Sequence, residues 1–218
     1  MTWDNLPWLE IAVAVPLLAA VPAAVARTKF AGVRWAAFGS GLALLATAVA
    51  WTGQHFTDSA GGGPMLRVDE LSAPLLPVVA LLHLLTAATT SRQKAEGFAP
   101  ARFLLSLSLR LATFSTLDPN LLVPLLIACV VPPYFDLRGR GKPTRVYAIH
   151  MASFAVLLLG GWALSTAGLR ETGAVLFVLA ALVRGGVLPA HVWVPDLFAN
   201  GSLSSALLSV GPLVGVYA

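Results

Sequence analysis

The sequence predicts an all-α fold: a polytopic bundle of about eight transmembrane helices, N-terminus outside, with a discontinuous seventh span. Three observations carry this. Of the 218 residues, 57% are hydrophobic and 11% charged, less than half of the roughly 25% charged residues of a soluble domain. The mean hydropathy is +0.81. Apolar stretches near membrane length follow one another along the chain, and the basic residues gather in every second loop between them.

A helical span needs about 20 mostly apolar residues. Such runs lie near residues 11–26, 35–52, 71–90, 98–117, 120–135, 146–167 and 172–188, and an eighth begins near Leu203 and is still apolar at Ala218. The first is preceded by Asp4 and Glu10, and the first basic residue is Arg27. It therefore lacks the basic n-region of a cleavable signal. Glu10 sits near Trp3 and Trp8, the composition of an aromatic belt at the outer interface. The third run holds nine Leu or Val and no charge, whereas the fourth contains Arg102 and Arg110. Pro16, Pro22, Pro74, Pro77, Pro124, Pro132 and Pro133 fall inside spans, where membrane helices tolerate kinks.

Loop charge sets the orientation. Arg27, Lys29 and Arg34 lie between spans 1 and 2; Arg92 and Lys94 between spans 3 and 4; Arg138, Arg140, Lys142 and Arg145 between spans 5 and 6. The opposite loops hold only Arg67 and Arg170, so the positive-inside rule predicts an external N-terminus. The external loop from Gly53 to Arg67 carries Gly61, Gly62, Gly63 and Pro64, a flexible connection. The net charge of +4 thus reflects membrane topology, and no nucleic-acid partner is expected. The lone Cys129 excludes a disulfide framework, a Cys-ligated zinc site and a protein-held iron–sulfur cluster. No phosphate loop, Gly-x-Gly-x-x-Gly or His-Glu-x-x-His stretch occurs, so no cofactor and no metal is expected.

Polar residues inside spans mark the candidate site. An arginine at a helix centre costs about 2.5–3.5 kcal/mol on insertion scales and faces protein or water. Arg110 is such a residue, and Arg102, Ser106 and Arg110 follow i, i+4, i+8 spacing. The structural alternative has Arg102 snorkelling and Arg110 paired with Asp69, Glu70 or Asp118. His83 and His150 are embedded imidazoles able to relay protons, or else interhelical hydrogen-bonding residues. Gly211 and Gly215 fit a small-xxx-small packing face. The segment from Arg184 to Asp196 is the most informative: Arg184 is followed by Gly185, Gly186, Pro189, His191, Trp193, Pro195 and Asp196. The glycines and Pro189 break the helix and free backbone groups, which is tolerated only inside protein or beside water. A broken helix carrying a buried cation is a transporter device; the alternative is an ordinary helix end with a snorkelling Arg184.

These residues resemble the antiporter-like subunits of respiratory complex I and the Mrp-type cation/proton antiporters. The resemblance rests on Pro189, His191, Trp193, Pro195 and Asp196, then Ser205-Ala206-Leu207-Leu208, then Gly215-Val216-Tyr217. Upstream, Val68-Asp69-Glu70-Leu71-Ser72 and Asn120-Leu121-Leu122 with Pro132 are similar to the family's span 3 and span 5 segments, so about residues 65–218 are covered. The resemblance implies a first segment of spans 1–3 (residues 1–97). An incomplete five-helix repeat, spans 4–8, would occupy residues 98–218. It also implies that the family's span-7 lysine falls at Arg184, its span-5 glutamate near Ile127 or Ala128, and its span-8 histidine at Ser209. Arginine does not give up its proton, and neither Ile127 nor Ala128 is an acid.

The resemblance implies a membrane subunit of an ion-translocating complex in the bacterial inner membrane. That complex is complex-I-like, hydrogenase-like, Mrp-like or of the bicarbonate-uptake type. The chain performs no bond chemistry of its own. Its partners are the bilayer and other membrane subunits, and it forms or supports a proton or cation half-channel along Arg184, His191, Arg110, His83, His150 and Ser209. The alternative is a non-pumping scaffold; a weaker one is an unrelated small transporter. The discriminating observation is whether an acid from another span or subunit lies within about 4–6 Å of the Arg184 guanidinium; with Arg184 against lipid headgroups or apolar packing, the channel reading fails. The stop at Ala218 fits either the N-terminal part of a longer chain or a shortened paralogue.

Overall fold

The computed structural model describes residues 6–57, 66–70 and 72–210. Among them lie eleven α-helices and no strand. The Gly61–Pro64 stretch, Leu71, Trp3, Asp4, the Gly211/Gly215 pair and the Gly215-Val216-Tyr217 segment fall outside the described residues. Four stretches are long and apolar enough to cross a membrane: Trp8–Val25, Lys29–Gly53, Pro119–Gly139 and Arg145–Thr166. Two compact units divide at Leu125 and Leu126.

The first unit contains α1 (Trp8–Val25), α2 (Lys29–Thr57), α3 (Leu75–Ala88), the single turn α4 (Arg92–Ala95) and α5 (Pro100–Phe114). Helix α1 stays continuous through Pro16 and Pro22. α2 packs on α1 and α3, and α5 packs on α1, α2 and α3. Leu9, Leu76, Leu104, Leu107, Leu111 and Phe114 are fully buried there. One long-range polar bond pins α5 to α1: the Ser108 hydroxyl donates to the Val13 carbonyl at 2.6 Å. The third apolar run is less helical than its composition predicts, because its first residues are held in a turn. The Asp69 carboxylate accepts from the Ser72 amide at 2.6 Å, the Asp69 carbonyl accepts from Ala73, and Pro74 caps the helix. α3 is 14 residues long, about 21 Å at 1.5 Å per residue.

Helix α6 (Pro119–Ala128) carries the boundary between units. Its start is spelled in the sequence. Asp118 takes the Asn120 amide on its side chain at 2.9 Å, and Pro119 occupies the first helical position, where a missing N–H costs nothing. The fifth run is interrupted at Cys129 and Val130. Pro132 and Pro133 lack the amides that would continue the ladder back to Ala128 and Cys129.

The second unit contains α7 (Val131–Gly139), α8 (Arg145–Thr166), α9 (Arg170–Arg184), α10 (Trp193–Asn200) and α11 (Leu203–Val210). α8 packs along α9 and also meets α10; α11 touches α10 and α7. The α8–α9 crossing is built on glycine. A Cβ at Gly173 would meet Ser165 Oγ and stand 2.8 Å from the Gly161 carbonyl oxygen, and one at Gly161 would stand 2.9 Å from the Phe177 ring. Small residues let helix backbones approach this closely in membranes. Gly173→Leu is therefore expected to lower the thermal midpoint of the detergent-purified chain, with overpacking worth about 1–3 kcal/mol. Gly41→Ala, whose Cβ meets only Leu84 at 3.8 Å, should leave the midpoint unchanged or raise it. Equal midpoints for the Gly173 variant and the parent would refute the close crossing.

Candidate functional site at the α9–α10 break

α9 ends at Arg184 because two glycines come directly after it. The Gly185 amide bonds the Ala181 carbonyl at 2.7 Å and the Val187 amide bonds that of Leu182 at 3.0 Å. Gly186 takes φ +65, a left-handed conformation that glycine adopts without steric penalty. Helical structure resumes at Trp193. Across the gap the Trp193 indole Nε1 donates to the Val183 carbonyl at 2.9 Å, so α10 satisfies a carbonyl at the end of α9.

Arg184 is 6% exposed. Its guanidinium carbon stands 5.4 Å from the Trp193 ring centroid, its Nη1 donates to Met151 Sδ of α8 at 3.9 Å, and its Nη2 is buried without a hydrogen-bond partner among the described residues. The neighbours of this charge are thus an indole face and a thioether. Asp196, one turn into α10, accepts from the Asn200 side-chain amide at 3.0 Å, and its Oδ2 is likewise buried without a hydrogen-bond partner. No ion pair joins Arg184 to Asp196. Pro195 is exposed on α10, and Pro189 lies in the irregular stretch between the helices.

The other sequence-selected residues are dispersed. His191 is exposed. His150, next to Met151, turns its Nδ1 to the Val146 carbonyl at 2.8 Å in its own helix, and Ser209 is buried in α11. Neither histidine bonds Arg184. In the first unit, His83 is fully buried on α3 with Nδ1 at 2.8 Å from the Val79 carbonyl, and its ring packs against Phe103. Arg110 is 2% exposed and donates to the Ser106 carbonyl at 3.1 Å. Arg102 on the same helix is exposed. Of the acids expected to meet Arg110, Glu70 is exposed and Asp118 is engaged by Asn120.

Two contributors escape sequence reasoning. Met151 lies 33 positions from Arg184, and nothing in its local pattern points there. Asp136 accepts both the Ser202 amide and hydroxyl at 2.9 Å while meeting Arg140 Nε at 3.4 Å. It thereby ties the start of α11 to α7. A lone acid beside Arg138 and Arg140 is the only signal the sequence offers for it.

Four apolar stretches of membrane-crossing length mark a multi-pass membrane protein, with a buried arginine where α9 ends. No family model matches the chain. It is homologous, at low identity over nearly its whole length, to NAD(P)H-quinone oxidoreductase chain 4, consistent with the antiporter-like resemblance. With NAD(P)H-quinone oxidoreductase chain 4 1 of Synechococcus elongatus it shares 28% identity, covering 98% of this chain and 48% of the relative. The chain 4 1 proteins of Picosynechococcus sp. and Nostoc sp. are each 27% identical, over 96% and 98% of this chain and 47% of each relative. The chain thus spans about half the length of the curated relatives it matches.

Arg184→Met tests the apolar packing. Replacing a buried charge that lacks a carboxylate partner by an apolar side chain of similar length removes its desolvation cost and keeps the space filled. The thermal midpoint of the purified chain should hold or rise. A clear fall would mean that Arg184 already has a strong partner within this chain.

Proposed function

We propose that this chain is a membrane subunit of a multi-subunit, NAD(P)H-quinone-oxidoreductase-like complex that supports a proton or cation half-channel without itself carrying the proton. Homology to chain 4 over nearly the whole sequence is the observation that carries this reading. In it the chain crosses the bacterial inner membrane about eight times with its N-terminus outside. Residues 98–218 form the first antiporter-like repeat.

Arg184 serves as a fixed positive charge. A guanidinium stays protonated, but a charge buried at a helix break lowers the pKa of acids and bases near it. Nη2 is the atom left to meet a water, an acid or a backbone carbonyl, since buried polar groups in native assemblies find partners. Asp196 Oδ2 offers a second such atom on the far side of the break. His191, His150, His83, Arg110 and Ser209 are the remaining candidates along a hydrated path.

A second reading, the non-pumping scaffold, is favoured by one specific observation: Arg184 packs on Met151 and Trp193, not on a carboxylate. One substitution separates the two. In sealed vesicles holding the native complex, Arg184→Ala is expected to reduce coupled ion movement by about tenfold, the factor a one-unit pKa shift of a neighbouring group produces, at unchanged subunit levels. Unchanged transport with normal levels overturns the half-channel. A loss of assembled complex, with transport falling only in proportion, assigns the scaffold.

A further inference from the structure

One end of the first unit gathers basic side chains from three helices and the turn that precedes one of them. The turn between α1 and α2 carries Arg27, and α2 opens with Lys29 and Arg34. The turn α4 carries Arg92 and Lys94. All five are exposed. Arg102 comes next, in the first turn of α5, and the only acid in segments 26–34 and 91–102 is Glu96.

Packing brings these segments to one place. A Cβ at Gly32 would stand 2.7 Å from Pro100 and 3.0 Å from the Ala23 carbonyl oxygen, so the end of α1 and the starts of α2 and α5 meet there. The Arg92 guanidinium lies 5.1 Å from the Phe30 ring centroid, which docks α4 on the first turn of α2. Ser91 caps α4 by accepting from the Lys94 amide at 3.5 Å. Just inside this rim, Trp35 is 41% exposed and Phe38 56% exposed, and their rings meet edge to face. Exposed aromatics beside snorkelling cations are the composition of headgroup depth.

We infer that this rim is a binding surface for the headgroups of anionic phospholipids. The cations are divided among α2, α4, α5 and the α1–α2 turn, which are held together by packing and by the Arg92–Phe30 stack, so their charges converge over one patch. Their long stems keep charge at the headgroups while the aromatics below meet acyl chains. The topology rule explains why basic residues are on one side. It does not require them to be drawn from four elements onto one rim.

The full chain, purified in mild detergent and placed in nanodiscs of equal phosphatidylglycerol and phosphatidylcholine, provides the test. Lipids retained on brief re-extraction are counted by native mass spectrometry. Phosphatidylglycerol should be enriched about fivefold or more over phosphatidylcholine, the factor expected of even one basic residue at an anionic surface. The enrichment should shrink at high salt. It should fall several-fold in a variant carrying Arg27→Gln, Lys29→Gln, Arg34→Gln, Arg92→Gln and Lys94→Gln, and persist in Arg67→Gln with Arg170→Gln and in Arg138→Gln with Arg140→Gln, Lys142→Gln and Arg145→Gln. If the fivefold variant does not fold, Arg92→Gln with Lys94→Gln on the peripheral α4 decides, and should lose a large part of the enrichment. A bulk ratio in the parent chain overturns the inference, as does enrichment that survives in the rim variants. Complete displacement of the lipid by inorganic phosphate at matched ionic strength also overturns it, in favour of a free-anion site.

Discussion

In hydrocarbon no water is present to complete a backbone hydrogen bond, so every amide and carbonyl must be satisfied by the protein. That constraint fits a structure whose described regular elements are all helices, and it governs what happens where helices stop. Three of the breaks between helices in the second unit receive a side-chain bond from another element. The Tyr147 hydroxyl donates to the Val130 carbonyl at the α6–α7 break. The Trp193 indole serves the Val183 carbonyl at the end of α9. Asp136 takes the Ser202 amide at the start of α11. Tyrosine, tryptophan and aspartate thus do for broken membrane helices what water does for soluble ones.

The buried arginine is a consequence of the same arrangement. A helix that ends inside a bundle leaves carbonyls at its last turn, and their negative partial charge favours a cation there. Arg184 occupies that turn of α9. Its remaining surroundings are a polarizable sulfur and an aromatic face, which attract a guanidinium at about 0.5–2 kcal/mol without neutralising it. The charge therefore stays electrostatically available to whatever approaches Nη2. Arg110 in the first unit is different: it turns back onto its own helix at Ser106.

Much of the architecture is legible in the amino-acid order, because hydrophobic length and proline–glycine punctuation act locally. The helix over Arg145–Thr166, the stop after Arg184 and the start at Asp118–Pro119 are set by residues within one turn of the event. Apolar runs misplace the boundaries where tertiary capping intervenes. Asp69 and Pro74 convert the start of such a run into a turn, so α3 begins at Leu75 and not at residue 71. α5 and α9, each 15 residues, are also shorter than the runs that announce them, since their apolar flanks are spent in turns. The site is half legible. A charge in an apolar run identifies Arg184, but Met151 comes from another helix and nothing in periodicity points to it. Asp136 lies among basic loop residues that topology alone explains, and its bond to Ser202 spans 66 positions.

Trp193 does two tasks with one ring system, and this restricts what position 193 can hold. The indole N–H completes the α9 carbonyl while the ring face covers the guanidinium, and the whole side chain is sealed from solvent. Phenylalanine would keep a ring face and leave the Val183 carbonyl with only the longer 3.3 Å bond from the Gly186 amide; histidine would keep an N–H with less ring to cover the charge. A displacement of α10 therefore uncovers the charge and strips the Val183 carbonyl of its shorter bond in the same movement. The helix end and the cation behave as one latch with a single pin.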